Sequence, residues 1–320
     1  MGIPKEERSI MSALTIPLDG RKGKGPSMNL PAVSVKGLKK RYGSLTALDG
    51  VTFDLPRGRT LGLLGRNGAG KTSLIGILLG LNTRTEGVVM VMGLDPSKQA
   101  VDIRQKTGYV PESHHFYRWM RVGEILRFTG SFYPTWDDAL AGEFLERLSL
   151  DPAKRMSELS RGMVAKVALI CALAHRPEFV ILDEPTGGLD PVVRREFLES
   201  LVHFAGEEGR TILISSHRLD DVERVADCVA FLVEGQLRLI EDLEVLKQNT
   251  HRVEMVFQTA APESFDLAGL VCSSREGRTL NAVVRGNERQ IQSVLQERHP
   301  SARVELLPMT IQEIFIAISG

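Results

Sequence analysis

The sequence predicts an α/β protein with an inserted helical segment and a small α+β unit at its C-terminal end. Three observations carry that reading. Short runs rich in β-branched residues recur between residues 33 and 215, and those around Leu61, Val180 and Ile212 are nearly all apolar, as strands covered on both faces of a parallel sheet are. Helical patterns separate the runs, which is the alternation of an α/β sheet. One run, Leu61–Leu64, passes through a glycine-rich turn into an apolar helix over Ser73–Leu81.

Residues 1–31 read as a disordered leader, because apolar periodicity is weak and Arg21-Lys22-Gly23-Lys24-Gly25-Pro26 is basic and rich in breakers. It lacks the continuous apolar stretch of a secretory signal peptide, and Met28 is an alternative start. Its basic residues suit a solvated tail or contact with acidic lipid headgroups. The main domain is predicted over residues 32–246, with strand-like runs at Val33–Val35, Val51–Leu55, Thr60–Leu64, Val88–Val91, Thr107–Val110, Phe179–Leu182 and Thr211–Ser215. Between Pro111 and Gly162 strand signals stop and aromatic amphipathic segments take over (Phe116, Tyr117, Trp119, Phe128, Phe132, Tyr133, Trp136, Phe144). This predicts a helical subdomain over residues 112–165. Residues 247–320 read as a C-terminal accessory domain, because Val253–Phe257, Leu280–Val284 and Val304–Leu307 alternate like half-buried strands. Its last helix is marked by Thr310 and Glu313 at capping-box spacing and by Ile311, Ile314, Phe315 and Ile318 along one face.

The composition sets limits. Forty Lys and Arg balance forty Asp and Glu over 320 residues, so there is no bulk attraction to phosphate backbones and nucleic acid is not an expected partner. An apolar fraction of 42% and a charged fraction of 25% belong to an ordinary globular chain. No run approaches the ~18 apolar residues that a membrane span needs; the longest, Val164–Ala174, carries Lys166 and runs into His175-Arg176-Pro177. Cys171, Cys228 and Cys272 are odd in number and far apart, and are expected to be small buried apolar residues in a reducing cytosol.

Chemistry enters at Gly65-Arg66-Asn67-Gly68-Ala69-Gly70-Lys71-Thr72, which fits G-x-x-x-x-G-K-[ST] between a strand and a helix. The glycines let successive backbone N–H groups turn inward as an anion-binding nest, and the helix N-terminus adds partial positive charge. Gly65, Asn67, Gly68, Ala69, Gly70, Lys71, Thr72 and Ser73 are therefore the candidate phosphate-binding residues. Lys71 is expected to reach the β- and γ-phosphates, and the Thr72 hydroxyl to ligate Mg²⁺. A second apolar strand, Phe179–Leu182, runs onto Asp183 and Glu184, a costly arrangement unless a cation compensates the acids. Asp183 is expected to hold Mg²⁺ through a water, and Glu184 to orient or deprotonate the attacking water. His114 and His115 have no ligand constellation around them and read as loop residues.

The order of the remaining motifs narrows the choice. Leu159-Ser160-Arg161-Gly162-Met163 precedes the acidic strand, Gly188-Leu189-Asp190-Pro191 follows it, and Ser215-Ser216-His217 closes a later one. Upstream, Lys40-Arg41-Tyr42-Gly43 stands before Ala47-Leu48-Asp49-Gly50-Val51. In this order, phosphate loop, signature, acidic strand, D-loop and histidine resemble the ATPase subunits of ABC transporters over residues 33–246. The resemblance implies a P-loop NTPase fold of the ABC cassette type. It implies that Tyr42 stacks on adenine, that Ser160 and Gly162 contact the γ-phosphate held by an opposite subunit, and that Asp190 helps join the two sites. It also implies that His217 contacts the γ-phosphate. The cofactors expected are ATP and Mg²⁺, in a head-to-tail homodimer or heterodimer of ATPase subunits. With no spanning segment of its own, the chain is expected in the cytoplasm, peripheral on the inner face of the cell membrane, against a separate transmembrane permease subunit.

Three departures stand out. Glu112 occupies the position where the family most often has Gln; it still offers oxygen to water or Mg²⁺, so it stays among the expected catalytic and metal residues. Arg161 replaces the first signature glycine, where it either contacts phosphate or points to solvent, and Met163 replaces the usual glutamine. Gly187 stands where a small polar residue is common. The Glu at position 112, the variant signature, the run Phe116-Tyr117-Arg118-Trp119-Met120 and the accessory domain are similar to the branch whose transporters are mostly exporters. Export powered by ATP hydrolysis is thus the expected function, with a non-transport mechanical or regulatory switch on a membrane partner as the alternative. Glu112–Met120 is the expected coupling surface. A small-molecule kinase on the same loop would release a phosphorylated product, and the signature and His217 speak against it.

Overall fold

The computed structural model describes residues 30–319; the leader expected over residues 1–31, with its basic stretch and Met28, falls outside the described residues except for its last two positions. The chain divides into two units between Ile240 and Glu241. That is N-terminal of the 246/247 boundary read from the sequence, because Glu241 pairs with Arg285 and the helix Leu243–Gln248 packs on the strand Thr250–Val256.

The strands up to that point are β1 (Val33–Tyr42), β2 (Leu45–Leu55), β3 (Thr60–Leu64), β4 (Glu86–Val91), β5 (Thr107–Val110), β6 (Phe179–Asp183), β7 (Thr211–Ser216), β8 (Cys228–Val233) and β9 (Gln236–Asp242). An antiparallel sheet has the order β2-β1-β4. The larger sheet has the order β5-β6-β7-β3-β8-β9 and is parallel from β5 to β8. Every residue of β3, β6 and β7 is buried, so their apolar runs reflect cover on both faces. The helix Leu219–Val225 lies close against β3 because Gly62 has no side chain; a Cβ there would fall 2.1 Å from Val222 Cγ1. Between β5 and β6 the described chain is helical, with Val122–Gly130, Asp138–Arg147, a 3₁₀ turn at Met156–Glu158 and Arg161–Leu173. Asp137 caps the second of these by accepting from Leu140 N at 2.9 Å.

The second unit adds β10 (Thr250–Val256), β11 (Leu270–Glu276), β12 (Thr279–Arg285) and β13 (Arg303–Pro308), an antiparallel sheet of order β11-β12-β10-β13. Val253, Met255, Leu280, Ala282 and Val284 alternate into a core shared with Ile291 and Leu295. The capping box of the last helix, Ile311–Ser319, forms as its spacing predicts: Glu313 N donates to Thr310 Oγ1 at 3.3 Å and Thr310 N to Glu313 Oε2 at 2.8 Å. Ile311, Ile314 and Phe315 are buried beneath it. Of the three cysteines, Cys228 is buried and Cys171 intermediate, but Cys272 is exposed. It sits on the edge strand β11, where the sheet leaves one flank unpaired, which corrects the expectation of burial.

Two glycines separate packing from propensity. Gly62→Ala is expected to lower the unfolding free energy by about 1–3 kcal/mol, since the added methyl meets Val222. Gly142→Ala, within the helix Asp138–Arg147 and with open space around it, is expected to raise it by about 0.5–1 kcal/mol. Urea unfolding of the two variants measures both, and equal signs would refute the assignment.

Candidate active site

The C-terminal ends of β3, β6 and β7 lie side by side. Leu64 pairs with Ser216 and Asp183 with Ser215, so the glycine-rich turn after β3, the acids after β6 and His217 after β7 converge. The turn is squeezed from two sides. A Cβ at Gly65 would fall 2.5 Å from Leu232 O, and one at Gly70, whose φ is +107°, would fall 2.5 Å from Ala47 O. A tight turn between β8 and β9, with Glu234 and Gly235 both at positive φ, supports it from below. Gly235 N donates to Ala69 O at 3.0 Å, and Asp49 N donates to Gly235 O at 2.8 Å.

Lys71 opens the helix Lys71–Leu78 and is buried. Its ammonium donates to Gly65 O at 2.6 Å and lies 3.1 Å from Glu184 Oε1. The other carboxylate oxygen, Glu184 Oε2, lies 2.7 Å from His217 Nδ1 and accepts from His217 N at 3.2 Å. Lys71, Glu184 and His217 thus form one chain across three strand ends. Glu184 has φ of +47°, a left-handed conformation that a non-glycine residue keeps only when its surroundings enforce it. Glu184 N donates to both Ser215 O and Ser215 Oγ at 3.1 Å.

Asp183 is 2% and Glu184 8% exposed. Ser215 Oγ donates to Asp183 Oδ1 at 2.6 Å, and the Thr72 hydroxyl lies near this carboxylate. Burial is the main cause that raises the Asp183 pKa; Ser215 opposes it, Glu184 adds to it, and Thr72 and Lys71 oppose it. A buried carboxylate beside a hydroxyl, held above its ordinary pKa chiefly by burial, is a donor set that fits a hard divalent cation such as Mg²⁺. Tyr109 on β5 lies in the same field: burial first, then Asp183 and Glu112, push its pKa up to about 12.

The remaining expected residues fall into four places. Asn67 and Gly68 are exposed at the tip of the turn, Ala69 is buried under it, and Ser73 follows Thr72 on the helix. Tyr42 ends β1, 44% exposed, with Lys40 Nζ 4.5 Å from its ring centroid; the hairpin it belongs to carries Ala47 against Gly70. Ser160 and Asp190 are helix N-caps. Ser160 Oγ accepts from Met163 N at 3.3 Å, and Asp190 Oδ1 accepts from Val192 N and Val193 N at 3.1 Å. Gly162 lets these two helices touch, since a Cβ there would fall 2.5 Å from Val193 Cγ1. Glu112 is exposed on the wall of a cavity of about 430 Å³ that Arg118 and Arg161 also line, and is not hydrogen-bonded to Thr72 or Asp183 among the described residues. Arg161 is exposed there, its Nη1 beside Gly188. Sequence reasoning missed Ser215 as a support for both acids. Its only signal was a hydroxyl at the end of an otherwise apolar strand.

Because folding raises the Asp183 pKa, this group favours the fold below its ordinary value near 3.8 and weakens it as pH rises through the folded value. Asp183→Asn is therefore expected to stabilise the nucleotide-free protein at pH 7, with a gain that shrinks as pH approaches 4. Thermal unfolding across that range checks it; an Asn variant less stable at pH 7 would contradict it.

Residues 48–187 match the family described as ABC transporter. The ABC transporter ATP-binding protein YtrB of Bacillus subtilis is 29% identical over 288 residues, 90% of this chain and 98% of that protein. The bacitracin transport ATP-binding protein BcrA of Enterococcus faecalis is 33% identical over 215 residues, 67% of this chain and 69% of that protein. A solved ATP-binding subunit of an ABC transporter superposes with a TM-score of 0.62 at 29% identity, covering 68% of this chain and 92% of that one. The α/β cassette and its order of motifs find their counterparts in these proteins, and the chain belongs to the ABC transporter family, among its ATP-binding, ATP-hydrolysing members.

Proposed function

We propose that this ATPase works in a head-to-tail dimer, hydrolyses Mg²⁺-ATP at the two interfaces, and powers export of a solute through a separate membrane-spanning partner at the inner face of the cell membrane. The observation that carries the hydrolytic reading is the Lys71–Glu184–His217 chain at the mouth of the glycine-rich turn. Incoming γ-phosphate oxygens take the Lys71 ammonium from Glu184, and the backbone N–H groups of Gly65–Thr72 surround the β-phosphate. Glu184 is then free to accept a proton from the water that attacks the γ-phosphorus. As that P–O bond forms, the bond to the β-phosphate oxygen breaks and ADP departs. His217 Nδ1 keeps the carboxylate aimed, and its ring reaches the γ-phosphate. Thr72 and Asp183 would hold the Mg²⁺, with Glu112 offering a further oxygen from the loop after β5. The ion supplies neutralisation of charge on the β- and γ-oxygens.

Tyr42 offers an exposed ring face for adenine. Ser160, at the exposed start of the helix Arg161–Leu173, and Asp190, at the start of the helix Pro191–Glu208, would face the second subunit. ATP favours the closed dimer because the closed state alone presents both halves of each site, and hydrolysis resets it. The coupling surface is the loop before Val122: Tyr117 and Trp119 are 60% and 69% exposed with ring centroids 5.8 Å apart. Phe128 and Phe132 add a second exposed pair, and exposed aromatic patches of this kind suit a protein partner. The name of BcrA, bacitracin transport, supports a role in transport.

Glu184→Gln is expected to lower ATP turnover by about 100-fold or more while ATP still binds and drives a stable dimer on size-exclusion chromatography. Wild-type turnover in that variant would reject Glu184 as the proton acceptor. A Tyr117→Ala, Trp119→Ala double variant is expected to hydrolyse ATP normally as an isolated subunit but to lose the membrane protein that co-purifies from solubilised membranes. Retention of that partner would reject the coupling surface.

A further inference from the structure

One buried polar pair lies outside the Lys71–Glu184–His217 chain yet ties the segment after Glu184 to the segment after His217. Thr186 stands two residues after Glu184, and Asp221 four residues after His217; they are 2% and 3% exposed. Thr186 Oγ1 donates to Asp221 Oδ2 at 2.6 Å. The other oxygen of Asp221 lies 3.9 Å from the Arg194 guanidinium. Arg194 belongs to the helix that Asp190 caps, and its neighbour Val193 is the residue that meets Gly162. A carboxylate this buried, with one neutral hydrogen bond and one long ion pair, is costly to maintain for stability alone.

The backbone explains what the pair can do. Glu184 is held in its left-handed conformation from the N-terminal side by Ser215, through two bonds to Glu184 N. On the C-terminal side the chain turns back, with Gly187 N donating to Glu184 O at 3.0 Å. Within that turn, the Thr186 side chain is anchored to the segment that follows His217. A strained residue between two anchors keeps its direction; with one anchor removed it relaxes toward a commoner conformation.

We propose that Asp221 is a positioning residue for ATP hydrolysis, which through Thr186 holds the turn after Glu184 against the helix after His217 and so keeps the Glu184 carboxylate within reach of both His217 and the attacking water. Arg194 joins the helix on the expected dimer side to the same brace. The inference rests on the reading of Glu184 as proton acceptor.

The test compares Thr186→Val, which keeps shape and removes the hydroxyl, with Thr186→Ser, which keeps it, and with Asp221→Asn, in the full-length protein. Thr186→Val is expected to lower kcat about 10- to 100-fold, the effect of a small misplacement of a catalytic group, with the KM for ATP and the stoichiometry of bound ATP unchanged. Thr186→Ser is expected to restore most of kcat, and Asp221→Asn to fall between them. A loss of kcat matched by a loss of ATP-binding sites would mean a merely structural role and would overturn the proposal. So would equal kcat in the Val and Ser variants. Glu184→Gln, run in parallel, separates the two claims: if it abolishes turnover while Thr186→Val does not, the brace alone fails. If Glu184→Gln turns over normally, the proton-acceptor reading and the brace fall together.

Discussion

Asp183 ends an apolar strand inside the larger sheet and Glu184 follows it, and each is almost wholly withdrawn from water. Two adjacent carboxylates in such a place would by elementary electrostatics protonate or drive the strand apart. Their surroundings are organised around that fact. Ser215 serves both residues at once, donating its hydroxyl to the Asp183 carboxylate while its backbone carbonyl receives Glu184 N. Lys71 brings a positive charge from the start of the helix after β3, and the His217 ring and backbone N–H take the oxygen that Lys71 does not reach. Burial nevertheless leaves Asp183 above its ordinary pKa. A bound cation would relieve such a carboxylate.

Much of this was legible in the sequence, and the legible parts share a property: each is set by residues adjacent in the chain. The glycines of the phosphate loop, the apolar runs of β3, β6 and β7, and the Thr310–Glu313 box encode their own geometry locally. The parts that were not legible depend on distant neighbours. The hairpin of β8 and β9 turns on Glu234-Gly235, a weaker turn signal than Asn-Gly or Asp-Gly. The edge strand β11 lacks alternation, since most of its residues are exposed. Ser215 acquires its part only because β7 pairs in register with β6, and no local pattern announces that pairing.

The family resemblance also told less than the geometry about two residues. Asp190 and Ser160 were singled out for contacts across a dimer, yet within one chain each already has work as a helix N-cap. The same side chain thus settles where its helix begins and what that beginning presents. Gly162 belongs with them: its missing side chain is what lets the two capped helices approach, so both presented ends share one rigid edge.

The turn at Gly235 touches both halves of the binding region, the glycine-rich loop through Ala69 and the hairpin of Tyr42 through Asp49. These are backbone bonds, and they need glycine at 235, where a Cβ would fall 2.8 Å from Ala47 O. The hairpin of Tyr42 and the glycine-rich loop are thereby riveted to one girder. The two grips that the proposed reading gives the nucleotide, on its base and on its phosphates, thus hang from a single turn of backbone.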